Sequence, residues 1–158
     1  MKRLGNLLTR DMIEKMDEAV HVHQFNDQAI RHTRSIGDAL GLSRIGVHLV
    51  RVEPGHDTTR FHFHHCDEEF VYILSGQGEA RIGDETVAVT GGDFMAFPAN
   101  SPAHSMRNTS TEDLVYLMGG SREAIDICDY PEINRRMYRE HGRKQYVSLD
   151  DLHDVPRR

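Results

Sequence analysis

Cysteine is nearly absent from this chain of 158 residues: Cys66 and Cys128 stand in unrelated contexts, with no CxxC pair. That excludes the multi-disulfide framework of a small secreted domain and fits a reducing compartment. A cationic excess is also lacking, since 25 acidic side chains outnumber 19 lysines and arginines, for a net charge of −6 and a pI near 6.0. The long-range field therefore repels nucleic acid and anionic membrane. No apolar run reaches the eighteen or so residues of a membrane helix. The Leu7-Leu8 pair is cut off by Thr9-Arg10-Asp11 before a signal-peptide core can form. No repeat or low-complexity tract is present, and the first forty residues carry no helix-turn-helix pattern. These absences lead to the expectation of a cytoplasmic protein whose partner is a small molecule.

What the chain does have is 38 % apolar residues and 13 glycines at a length suited to one globular domain. Asp11-Met12-Ile13-Glu14 reads as a capping box, and Met12, Ile13, Met16, Ala19 and Val20 recur at helical spacing, which predicts a short amphipathic helix at the start. A turn at Gly37 to Leu42 leads into a strand over Arg44 to Val52. Short strand-like runs then follow quickly: Arg60 to His64, Glu69 to Ser75, Gly78 to Ile82, Thr86 to Val89, Phe94 to Phe97, His104 to Asn108 and Leu114 to Met118. Turn chemistry separates them, at Ser75-Gly76-Gln77-Gly78, Gly83-Asp84, Gly91-Gly92-Asp93 and Pro98 to Pro102. Seven or eight short strands with no helix between them predict an antiparallel sandwich or barrel. Residues 1–43 read as a helix and arm packed on a barrel of residues 44–120. Residues 121–158 form an extension of the same domain, helical in part over Ile133 to Arg143, with a small strand at Gln145 to Ser148.

Within the barrel region, His62-Phe63-His64 is followed after four residues by Glu69 and much later by His104. Residues two apart on a strand leave the same face roughly 6.5 Å apart, so both imidazoles can close on one ion. His65 to Glu68 suffice for a hairpin loop that would set Glu69 beside His64 on an antiparallel neighbour. Three neutral imidazoles and a carboxylate leave a divalent ion with open positions, which suits Fe, Mn, Ni or Zn without choosing among them.

Gly55, His62-x-His64, Glu69 and Gly76 resemble the first motif of the cupins, with one extra residue between Gly55 and His62. Gly92, Pro98, His104 and Asn108 resemble the second. More narrowly, Leu40-Gly41-Leu42, Glu69 to Gly76 and Asp113 to Gly120 are similar to a bacterial group of small single-domain cupins, most of which have no assigned role. The resemblance implies an all-β jelly-roll barrel, or double-stranded β-helix, that commonly forms a homodimer, with His62, His64, Glu69 and His104 as metal ligands. One departure falls in the second motif: Asn100 stands where glycine is usual, and three residues instead of two precede His104. Asparagine tolerates positive φ better than most residues, so the turn is expected to survive.

Each assignment has a rival. The quartet has a metal-free counterpart, in which barrel-lining polar groups bind one another. Glu68 competes with Glu69, but the two leave a regular strand on opposite faces, and the motif spacing favours Glu69. His65 and Cys66 read as a solvated turn. Arg60 shares the parity of His62 and His64 and would point into the same barrel, where it suits a carboxylate or phosphate. Tyr72 is the other pocket candidate. His21-Val22-His23 repeats the His-x-His spelling, yet on a helix such residues diverge by about 200°, which argues against a site. Arg135, Arg136, Arg139, Arg143 and Lys144 read as a solvated helix face, with phosphate binding as the alternative.

The sequence thus predicts a divalent-metal cupin, either a sugar-phosphate isomerase-like or a dioxygenase-like enzyme on a small polar or anionic metabolite. A non-catalytic sensor or carrier is the alternative, and a metal-free cupin serving assembly only is a third.

Overall fold

A computed structural model describes residues 5–157. Thirteen strands are present among them, with two helices of a single turn each. Helix α1 (Arg10–Glu14) is capped by Thr9, whose hydroxyl accepts from the Met12 N–H, so the expected capping box at Asp11 is displaced. The apolar spacing that suggested a longer helix continues into a strand instead. β1 (Ala19–His23) pairs with β2 (Asn26–Arg34), and β2 pairs with β3 (Ile45–Val52). The arm is thereby part of a sheet wall. Helix α2 (Ile36–Ala39) fills the turn between β2 and β3.

The remaining strands are β4 (Phe63–His64), β5 (Glu69–Ser75), β6 (Gln77–Ile82), β7 (Glu85–Thr90), β8 (Phe94–Phe97), β9 (His104–Arg107), β10 (Leu114–Ser121), β11 (Ile125–Tyr130), β12 (Arg135–Glu140) and β13 (Arg143–Ser148). One wall is the antiparallel sheet β1-β2-β3-β10-β5-β8. The facing wall combines β13-β12-β11-β4 with β7-β6-β9, joined by a bridge between His62 and His104. This is the expected jelly roll. The tail departs from expectation: residues 133–143, read as partly helical, form the end of a 3₁₀ turn (Pro131–Ile133) and then β12. Arg135, Arg136 and Arg139 lie on β12 and Arg143 opens β13, so they do not share one helix face.

Burial follows the period of two. On β5, Val71 and Ile73 are buried, while Tyr72 and Leu74 face out. Ile73 is fully buried with Val50, Val52, Leu114 and Tyr116 in the core between the walls, and each such aliphatic side chain contributes about 1.5–3 kcal/mol. A smaller cluster of Cys128, Tyr130 and Met137, with Phe25 packed on it, joins the tail to the arm. Gly76 has φ +85°, and a Cβ there would press on the Asp113 carbonyl oxygen, so the β5–β6 turn requires glycine.

Candidate metal centre

Two short strands and one long one bring the quartet together. His62 and His64 flank Phe63 at the start of β4, Glu69 opens β5, and His104 opens β9. The expected hairpin is absent: β4 pairs with β11, and β5 with β10 and β8. Residues 65–68 cross from one wall to the other, so Glu69 meets the histidines across the cavity. Its carboxylate lies 3.1 Å from His104 Nε2, 3.5 Å from His62 Nε2 and 3.5 Å from His64 Nε2. One ligand atom each from His62, Glu69 and His104 falls within a 4.8 Å span. Glu68 is exposed.

The groups behind the imidazoles fix their tautomers. His62 Nδ1 donates to the Arg60 carbonyl at 2.7 Å, and His64 Nδ1 donates to Asp126 at 2.6 Å. Both therefore turn Nε2 toward Glu69. His104 lies flat on Phe97, with ring centroids 3.5 Å apart and planes 3° from parallel, and its buried Nδ1 has no partner among the described residues. A donor set of this kind, with the Nδ1 protons of His62 and His64 held by acceptors and three Nε2 atoms converging on one carboxylate, fits a divalent transition metal.

Burial alone would favour the neutral acid at Glu69, but the close imidazoles of His104, His62 and His64 outweigh it and hold the carboxyl well below its usual range. Burial likewise disfavours charge on His64, yet Asp126 and Glu69 on either side raise it to about 10. His104 is held below its ordinary value by burial, which the Glu69 hydrogen bond offsets only in part. Cys128 also approaches His62 and His64 closely enough to be counted with them. Burial pushes its thiol up, which keeps the proton on sulfur and leaves the carboxylate set the better ligand.

Asp126 was not singled out from the sequence. Fully buried, it accepts from His64 and from the backbone N–H groups of Cys66 and Asp67, so it fixes the crossing loop as well as the imidazole. The alternation Ile125-Asp126-Ile127-Cys128 was the available signal, since a carboxylate at that spacing marks one face of a strand.

Around this floor opens a cavity of about 330 Å³. Arg60 is not part of it: the chain from Thr59 to Phe61 is irregular, and its guanidinium reaches Glu132 at 3.5 Å in a separate groove. Tyr72 faces outward, 40 % exposed. His65 bonds Asp129 at 3.0 Å, and Cys66 is exposed. The dismissed pair His21 and His23, by contrast, stands on strand β1 with both residues lining the cavity. Burial is the main cause of a His23 pKa near 4, with His62 and Arg31 adding to it. Arg139 and Lys144 line the cavity as well, as does Tyr116, whose hydroxyl burial pushes up to about 12.

Comparison with known proteins agrees with this architecture. The Cupin domain family model matches residues 48–120. A solved structure from Acidithiobacillus ferrooxidans, provisionally named a sugar phosphate isomerase, is 39 % identical, with 97 % of this chain and 98 % of that one covered at a TM-score of 0.94. A cupin-superfamily sugar phosphate isomerase from Silicibacter pomeroyi is 26 % identical over 94 % of this chain and 96 % of its own, at a TM-score of 0.80. Auxin-binding protein 1 of Arabidopsis thaliana is 34 % identical over 113 residues, which is 65 % of this chain. The chain spans 56 % of that protein's length and 18 % of another curated relative's. No helix among the described residues is long and apolar enough to cross a membrane. The two motifs, the jelly roll and the full-length likeness together place the chain in the cupin superfamily.

Proposed function

We propose that His62, His64, Glu69 and His104 hold one divalent transition metal, and that the protein uses it to isomerise a small polar, anionic metabolite of the sugar-phosphate class. The observation that carries this reading is the convergence of three Nε2 atoms on one carboxylate, with two of the outer nitrogens tied down by Arg60 O and Asp126. When bound, the cation would supply Lewis acidity to a carbonyl or hydroxyl oxygen. The protein's own part is to shape a mostly β-walled chamber. Phe97, Met95, Val71 and Met106 line it with apolar surface, and the buried Tyr116 hydroxyl stays protonated as a donor. The likeness to chains named as sugar phosphate isomerases supports the substrate class. A dioxygenase-like use of the same ligands would instead consume O2.

A carrier that binds without turnover is the second reading, favoured by the likeness to auxin-binding protein 1. Outside the barrel, Phe70, Tyr72, Leu74 and Phe94 form an apolar stripe on β5 and β8 suited to a second copy of the chain.

Elemental analysis of tag-free protein after exposure to Fe, Mn, Ni and Zn tests the metal. Wild type should retain one ion per chain and His104→Ala far less; equal retention would remove the metalloenzyme reading. Solvent-deuterium incorporation into a panel of sugar phosphates, followed by NMR, then tests catalysis. Tight binding with no exchange and no O2 uptake would leave the carrier.

A further inference from the structure

The cavity has a second polar region, built from segments outside residues 48–120 that match the family model. His21 on β1 lies directly across from Arg31 on β2 in the antiparallel register, and both line the cavity. Lys144 on β13 lines it from the opposite wall. The two walls meet here through Phe25 and Tyr146, whose rings are 5.1 Å apart.

Arg31 is unusual among the arginines. The partly buried Arg34, Arg51, Arg60, Arg136 and Arg139 each have a carboxylate within 4.0 Å. Arg31, also partly buried, has none among the described residues; the one hydrogen bond found for its side chain is to Met118 Sδ at 3.8 Å. Lys144 has no carboxylate partner among the described residues either. A partly desolvated guanidinium without an anion is costly, and in a chain with net charge −6 carboxylates are not scarce.

Tyr116 supplies an independent observation. It is 1 % exposed, lines the same cavity two residues before Met118 on β10, and its hydroxyl has no hydrogen-bond partner among the described residues. Burial is the main cause that raises the pKa of this hydroxyl, and the nearby Arg31 guanidinium works against it. Guanidinium, ammonium and phenol are all donors at neutral pH. What they lack in common is an acceptor with several oxygens and negative charge.

We propose that Arg31, Lys144 and Tyr116, with His21 alongside, bind the phosphoryl group of a phosphomonoester whose other end reaches His62, His64, Glu69 and His104. Three acceptor oxygens on a phosphoryl group match donors arriving from β2, β13 and β10, where a carboxylate would offer only two. The arm and the tail thus supply the cationic donors and the barrel core supplies Tyr116 and the quartet. The assignment deepens the reading of this cavity as a metabolite site, but it does not depend on the metal being bound.

The test is calorimetric titration of chelator-treated full-length protein with glycerol 3-phosphate, inorganic phosphate and glycerol. Wild type should bind both phosphates and not glycerol. Arg31→Gln should weaken phosphate binding by about tenfold or more, and Lys144→Gln by several-fold, in keeping with loss of charge-assisted hydrogen bonds. Tyr116→Phe should weaken it too while leaving the melting temperature unchanged or higher, because an orphaned hydroxyl is removed from the free protein. Arg135→Gln, on an exposed position outside the cavity, should bind as wild type does. Should Arg31→Gln fail to fold, the exposed Lys144 still decides the matter. Equal affinity in wild type and Lys144→Gln, or an equal loss in Arg135→Gln, would overturn the proposal. Phosphate binding without metal retention would uphold this site and refute the metal reading, and metal retention without phosphate binding would do the reverse.

Discussion

His64 Nδ1 donates to Asp126 across 2.6 Å, and the accepting carboxylate is wholly buried behind the imidazole. Asp126→Asn keeps the shape but removes the charge that orients and enriches the ring. Metal affinity should fall by about 10–100-fold, read by competition with a chelator of known strength. An unchanged affinity would mean that His64 is not a ligand.

Glu68 and Glu69 offer a paired test of strand parity. Glu69 meets three imidazoles, whereas the Glu68 side chain is exposed and only its backbone is engaged, the N–H donating to Ser121 Oγ and the carbonyl accepting from the Ser121 N–H. Glu69→Gln should abolish stoichiometric metal binding, and Glu68→Gln should leave it intact, with both proteins compared by elemental analysis.

Acid should weaken the fold through Asp129. Burial raises this carboxyl, but the two-pronged contact from Arg136, at 2.6 and 2.8 Å, and the hydrogen bond to His65 overcome it, so the net shift is downward. A depressed carboxyl contributes stability that is complete above its unfolded value of about 4 and is lost as pH falls through the lower folded value. Asp129→Asn should cost about 1–3 kcal/mol at pH 7. The gap from wild type, followed by urea titration, should narrow steadily below about pH 4; a gap that widens there would contradict the assigned partners.

Self-association should depend on the outer stripe. Phe94 is 62 % exposed and stacks on Phe70 at 6.0 Å, beside Tyr72 and Leu74. Phe94→Asp should shift the protein toward the mass of one chain in light scattering without a large change in melting temperature. A wild type that already scatters as one chain would refute the homodimer.

Much of the barrel was legible because its strands alternate cleanly: Glu69 to Ser75 and Phe94 to Phe97 carry the same limits in sequence and structure. The ends were harder. Met12 to Val20 satisfy a helical period by coincidence of two shorter elements, and Ala19 to His23 alternate as strongly as any strand. That misreading hid His21 and His23, whose spacing is meaningful only on a strand. Arg60 failed for the opposite reason: parity was extended through residues that do not form a regular strand. Asp126 depends on a contact between residues far apart in sequence, which spacing alone does not reveal. Tertiary pairing also decided the tail, where β12 is held between β11 and β13 against its basic, helix-compatible composition.

Asn100 replaces a glycine of the motif and adopts φ +60° as that glycine would, and its side chain adds one bond that glycine could not make. Its backbone N–H donates to the His64 carbonyl at 2.7 Å, and its side-chain amide donates to the His65 carbonyl at 3.3 Å. The turn that delivers His104 is therefore clasped to the strand that carries His62 and His64. Two halves of the candidate metal site that belong to different sheets become one mechanical unit, so any opening of the barrel on that side must carry three imidazoles together or release this clasp first.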